Sequence, residues 1–68
     1  MQQWQVLYKT ESFAEASIIQ GVLAENNIPV QLLNKQDSSY LNFGYVEVYV
    51  LFTMMDVAKQ LLNKALLN

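Results

Sequence analysis

Six carboxylates (Glu11, Glu15, Glu25, Asp37, Glu47 and Asp56), four lysines and four tyrosines carry the chemical potential of this 68-residue chain, which has no histidine and no cysteine. A Ser–His or Cys–His nucleophile pair therefore cannot be assembled within it. Acid–base work by a carboxylate pair would need Glu47 to meet a second acid across a sheet. The six acids are instead dispersed over helix starts, a loop and a strand, where carboxylates are ordinarily solvated. With no His or Cys cluster there is no motif for a metal. The residues predict a domain that is not an enzyme and needs no cofactor.

Binding chemistry is better represented. Tyr45 and Tyr49 share one face of a strand, an echo of the aromatics on which RNA bases stack. Glu47 sits between them, however, and the lysines (Lys9, Lys35, Lys59 and Lys64) are scattered in a chain of net charge −2. Phosphate contacts dominate nucleic-acid affinity, so no nucleic-acid partner is expected. The polar stretch from Asn34 to Asn42 is the most distinctive. Asp37, Ser38, Ser39 and Tyr40 offer acceptors and hydroxyls that could bind a small molecule or a protein partner. The same residues are turn formers, and Tyr40 with Phe43 could simply fold back onto the core. Both readings stay open at this point.

These groups must be positioned by a single small domain spanning residues 1–68. Its composition, 53% hydrophobic and 15% charged, favours a packed core over disorder. A chain this short buries only about 60% of the surface it exposes when unfolded. Without a disulfide or metal staple it relies on a dense core, on oligomerisation, or on both. No charged n-region with an apolar h-region opens the sequence, and no apolar run approaches the ~20 residues of a membrane span. The expectation is a soluble, cytoplasmic protein with no membrane partner.

Trp4, Val6 and Tyr8 alternate with Gln5, Leu7 and Lys9, the period of a half-buried strand. Ser12 to Glu15 reads as a capping box, with Glu15 reaching back to the cap. It opens an amphipathic helix whose core face carries Ala16, Ile19, Val22 and Leu23. Asn26-Asn27 suits a left-handed stop, and Pro29 prevents continuation. Ile28, Val30 and Leu32 alternate as a second strand, confined by Pro29 to start there or lie at a sheet edge. The third strand sets Val46, Val48 and Val50 against Tyr45, Glu47, Tyr49 and Leu51. Thr53 to Asp56 is a weaker cap, with Phe52 and Val57 spaced as a staple. Met54, Val57, Ala58, Leu61 and Ala65 form the stripe of the last helix.

The order β-α-β-β-α predicts an α+β fold. It is a truncated ferredoxin-like arrangement, with a three-stranded sheet in the order 1-3-2 and two helices on one face. Val6, Ile19, Leu23, Val30, Val48 and Leu61 should then be buried. The other sheet face keeps Leu7, Leu33, Tyr45, Tyr49 and Leu51, moderated by Gln5, Lys9 and Glu47. Together with an open edge on the first strand, this patch predicts self-association, a homodimer by default. Two further features stand out. Ala14, Ser17, Gly21 and Ala24 make a small-residue seam on the first helix. Met55, Leu62, Leu66 and Leu67 lie outside the stripe of the last.

Phe13-Ala14-Glu15-Ala16, Gly21 to Ile28, Leu33 to Tyr40, and Phe43-Gly44 with Glu47 to Val50 together resemble the family of putative prokaryotic signal-transducing proteins. The resemblance spans nearly the whole chain. It implies a bacterial domain with a fold similar to the nitrogen-regulatory signal transducers. Asn27 departs from the glycine often found at this helix stop, but it tolerates the same backbone region. The leading functional reading is a non-enzymatic regulatory or interaction domain. The alternative is a structural homo-oligomer subunit with no ligand.

Overall fold

A computed structural model of the chain describes residues 3–36 and 44–67. Strand β1 (Trp4–Thr10) leads into helix α1 (Phe13–Glu25), followed by β2 (Val30–Asn34) and β3 (Val46–Leu51). A short 3-10 turn over Phe52–Met54 then continues into helix α2 (Met55–Leu67). The strands lie in the order β1-β3-β2, and β3 is antiparallel to both neighbours. The two outer strands are therefore parallel to each other, as a β-α-β crossover requires. The fold is α+β, β-α-β-β-α, as the sequence predicts.

The central strand is the keystone because its alternation is unbroken. Val46, Val48 and Val50 are fully buried and pack with Ala16, Ile19 and Leu23 of α1 and with Ala58 and Leu62 of α2. Both helices thus cover the valine face. Ile28 completes this core, and Leu7, Tyr8, Val30, Leu32, Met54, Met55 and Leu61 pack around its margin.

The termini of α1 follow from its sequence. Ser12 Oγ accepts the Glu15 N–H at 3.1 Å. The Ser12 N–H is satisfied by Thr10 Oγ1 at 3.0 Å, so the return bond expected from Glu15 is supplied by a different residue. At the other end Asn27 adopts φ 62°. The Ile28 N–H reaches the Leu23 carbonyl and the Asn27 N–H reaches that of Ala24, both at 3.0 Å. This is a Schellman stop, completed by the buried pair Ile28 and Leu23.

Three expectations are corrected. First, β1 carries a bulge between Val6 and Tyr8: Val6 lies opposite Tyr49, and Tyr8 opposite Val48. The extra residue flips the strand's parity. Val6 joins the face away from the helices, while Leu7 and Tyr8 both pack against the core. Val6, Val30 and Leu61 are half-buried, whereas Ile19, Leu23 and Val48 are fully enclosed. Second, the core stripe of α2 is rotated. Leu62 is buried and Val57 is 54% exposed. The helix is entered through the 3-10 turn without a side-chain cap, and Phe52 is as exposed as Val57. Third, α1 is not cleanly amphipathic, since Phe13 and Ile18 point outward at 51% and 64% exposure.

Candidate functional site

The valines of β3 face the helices, so Glu47, Tyr49 and Leu51 project from the opposite side of the sheet. The register arranges that face in rows. Trp4 lies beside Leu51; Val6, Tyr49 and Gln31 form the next row; Lys9, Glu47 and Leu33 form the third. The Lys35 N–H donates to the Tyr45 carbonyl at 2.9 Å, extending the β2–β3 pairing by one row.

Glu47 organises the centre. Its carboxylate is buried yet fully engaged. Lys35 Nζ stands 3.2 Å from Oε1 and Lys9 Nζ 3.7 Å from Oε2. The Tyr49 hydroxyl donates to Oε1 at 2.9 Å. The tyrosine bond, then Lys35, hold the carboxyl below its ordinary range. Reciprocally, the bond to Glu47 and partial burial raise the Tyr49 phenol. On the helix side, burial and then the nearby Glu15 carboxylate raise the Tyr8 phenol.

The residues expected on this face are divided by the structure. Leu33 and Tyr45 are there and nearly half exposed, at 45% and 48%. Tyr49 is there but half-buried, its hydroxyl committed to Glu47. Leu51 is buried at the strand end, next to Trp4. Leu7 is removed from the face by the bulge and packs on the core side. Gln5 also changes side, opposite Val50. In their place the face gains Trp4, Val6, Gln31 and Lys35. Lys35 follows β2 directly and meets the need of Glu47 for a cation, which is the signal the sequence carries for it.

Asp37, Ser38, Ser39 and Tyr40 lie outside the described residues. The approach to their segment is well defined. The Asn34 side chain accepts the Gln36 N–H at 2.9 Å, and Gln36 Nε2 donates to the Glu11 carbonyl at 2.6 Å. Gly44 has φ +116°, and a Cβ there would collide with the Lys35 carbonyl. Only glycine lets the chain re-enter β3 so closely past the end of β2.

A second surface lies on the helix side of the sheet. Ser17, Gln20, Gly21 and Ala24 of α1 and residues Asn27 to Val30 line an open groove of about 630 Å³. The small-residue seam of α1 thus runs beside the start of β2. Among the described residues no group of three or more acids could hold a metal ion. None of the described helices is long and apolar enough to cross a membrane.

A family model described as putative prokaryotic signal transducing protein matches residues 4–65, from the first residue of β1 nearly to the end of α2. The chain belongs to that family. The matched span takes in β1, β2 and β3, so the bulged β1, the Glu47 cluster and the Gly44 return all fall within it. No curated protein and no solved structure matches the chain.

Proposed function

We propose that this signal-transducing domain is a non-enzymatic interaction module of the cytoplasm that receives a protein partner on the open sheet face. The observation that carries the reading is the composition of that face. Trp4, Leu33 and Tyr45 are each between a third and a half exposed around the paired charges of Glu47, Lys9 and Lys35. Aromatic anchors around a satisfied polar centre are the usual content of a protein interface. A small molecule prefers a concave site, and this surface is the outer side of a sheet. A non-catalytic role is supported by Glu47 itself. Two cations and a phenol hold it ionised, so it has no proton to give at neutral pH and is a weak base.

The test is affinity capture from native cell extract with three baits: the wild type, Leu33→Lys with Tyr45→Lys, and Val57→Lys. Val57 is exposed on α2, away from the face. The expected result is a partner held by the wild type and by Val57→Lys and lost from the face variant. Equal capture by all three overturns the reading. A metabolite co-purifying with the wild type in native mass spectrometry would favour small-molecule binding.

A further inference from the structure

We propose that the outer edge of β2 is a self-pairing site, at which a second copy of the chain adds its own β2 antiparallel across a two-fold axis through Leu32. The argument begins with the hydrogen-bond parity of the strand. In an antiparallel ladder, alternate residues turn their N–H and C=O toward the partner strand and the intervening ones turn them away. Because Lys35 donates to Tyr45, and the register pairs Leu33 with Glu47 and Gln31 with Tyr49, these three bond inward to β3. Val30, Leu32 and Asn34 therefore direct their backbone groups outward, with no partner strand among the described residues.

Directional donors and acceptors at strand spacing are matched by another extended backbone. The strand's own symmetry selects which one. The outward residues are centred on Leu32, so an antiparallel copy sets Val30 against Asn34, Leu32 against Leu32, and Asn34 against Val30. About six backbone hydrogen bonds close at once, with the two-fold through a bonded pair. The segment Val30-Gln31-Leu32-Leu33-Asn34 is uncharged, so no like charges meet. It also lacks the usual protections of an edge. Its register against β3 has no bulge and it carries no lysine or internal proline. The other edge has two such devices, the bulge at Leu7 and Lys9. Space is available as well, because the groove along Ser17, Gly21 and Ala24 of α1 adjoins the same edge. A Cβ on Gly21 would meet nothing within 4 Å. The product is a six-stranded sheet whose two open faces lie side by side.

Amide hydrogen exchange on the purified full chain over a concentration series tests this without a variant. The Val30, Leu32 and Asn34 amides should exchange rapidly at high dilution and slow at least tenfold as concentration rises. The Gln31 and Leu33 amides, bonded to β3, should stay protected throughout. Rapid exchange at every concentration overturns the proposal. So does protection that persists at every dilution, which would mean the chain covers its own edge. A second measurement uses the absence of cysteine. Gln31→Cys and Leu33→Cys chains, mixed under mild oxidation, should form the mixed disulfide in excess over either homodimer, because these positions face each other across the axis. A statistical mixture overturns it. Both readouts use the chain alone, so they stand or fall independently of partner capture on the open face.

Discussion

Tyr49 donates its hydroxyl to the Glu47 carboxylate at 2.9 Å, from two positions along the same strand and the same side of the sheet. This bond is the first cause of the lowered Glu47 pKa, with Lys35 next. Between the depressed folded value and the ordinary 4.5, the unfolded chain binds more protons than the folded one. The stabilisation is therefore complete above about pH 4.5 and is lost as pH falls through the folded value. Glu47→Gln should flatten the acid limb of a stability–pH profile from urea titrations. Tyr49→Phe should raise the Glu47 titration midpoint observed by NMR. An unchanged acid slope in Glu47→Gln would remove the cluster from the account of stability.

The same bond acts with the opposite sign in alkali. The Tyr49 phenol is raised above 10.0 first by the hydrogen bond it donates to Glu47, then by partial burial, and then because a phenolate would face that carboxylate. Its contribution is present below pH 10 and fades as pH rises through the folded value. Tyr49→Phe should therefore lose stability less steeply than the wild type at high pH. Identical alkaline limbs would show that the phenol ionises without regard to Glu47.

The rotated stripe of α2 separates two substitutions of similar appearance in sequence. Leu62 is 8% exposed within the core, whereas Val57 is 54% exposed. Leu62→Ala should cost roughly 2–5 kcal/mol, a large share of the stability of a domain this small. Val57→Ala should stay within about 0.5 kcal/mol. Chemical denaturation of the two variants measures both, and a reversed ranking would mean the helix is turned the other way.

Legibility followed the same division. The whole of β3 could be read because Val46, Val48 and Val50 admit only one buried face. The stop at Asn27 was readable because few residues tolerate a left-handed backbone. The bulge was not, since Leu7 is apolar and satisfies either face; only pairing against β3 reveals that one residue is extra. The α2 register is ambiguous for a related reason. Val57 with Leu61 and Ala58 with Leu62 both obey helical spacing, and packing against the valine face decides between them. The open face was therefore half legible: its β3 members and Leu33 were, but Trp4 and Val6 depended on the bulge. Lys35 lay one residue beyond its strand.

The two glycines should respond oppositely to alanine. At Gly44, φ +116° and the Lys35 carbonyl leave no room for a Cβ. Gly44→Ala should cost at least about 1–3 kcal/mol through strain, before any loss of the Lys35–Tyr45 bond. At Gly21 the helix is regular and the space is open, so Gly21→Ala should stabilise the monomer by about 0.5–1 kcal/mol. Thermal melts at high dilution compare them directly. A destabilised Gly21→Ala would show that the groove beside β2 is already filled within the monomer.

Asn27 offers the finest test of how α1 is ended. Its φ of 62° is a conformation in which a β-carbon approaches the following carbonyl, at about 1–2 kcal/mol for an ordinary residue. The stop cannot relax by unwinding. Ile28 must remain in the core beside Leu23 while its N–H reaches the Leu23 carbonyl. The strain of any replacement is therefore expressed in stability, not relieved by movement. Asn27→Gly should equal or exceed the wild type, Asn27→Ala should lose about 1 kcal/mol, and Asn27→Val should lose more because a branched side chain fits this region worst. The order of urea midpoints, glycine at or above asparagine, then alanine, then valine, is the measurable outcome. An alanine variant as stable as the wild type would mean that the chain can leave α1 by another route, and that the Ile28–Leu23 contact does not fix the turn.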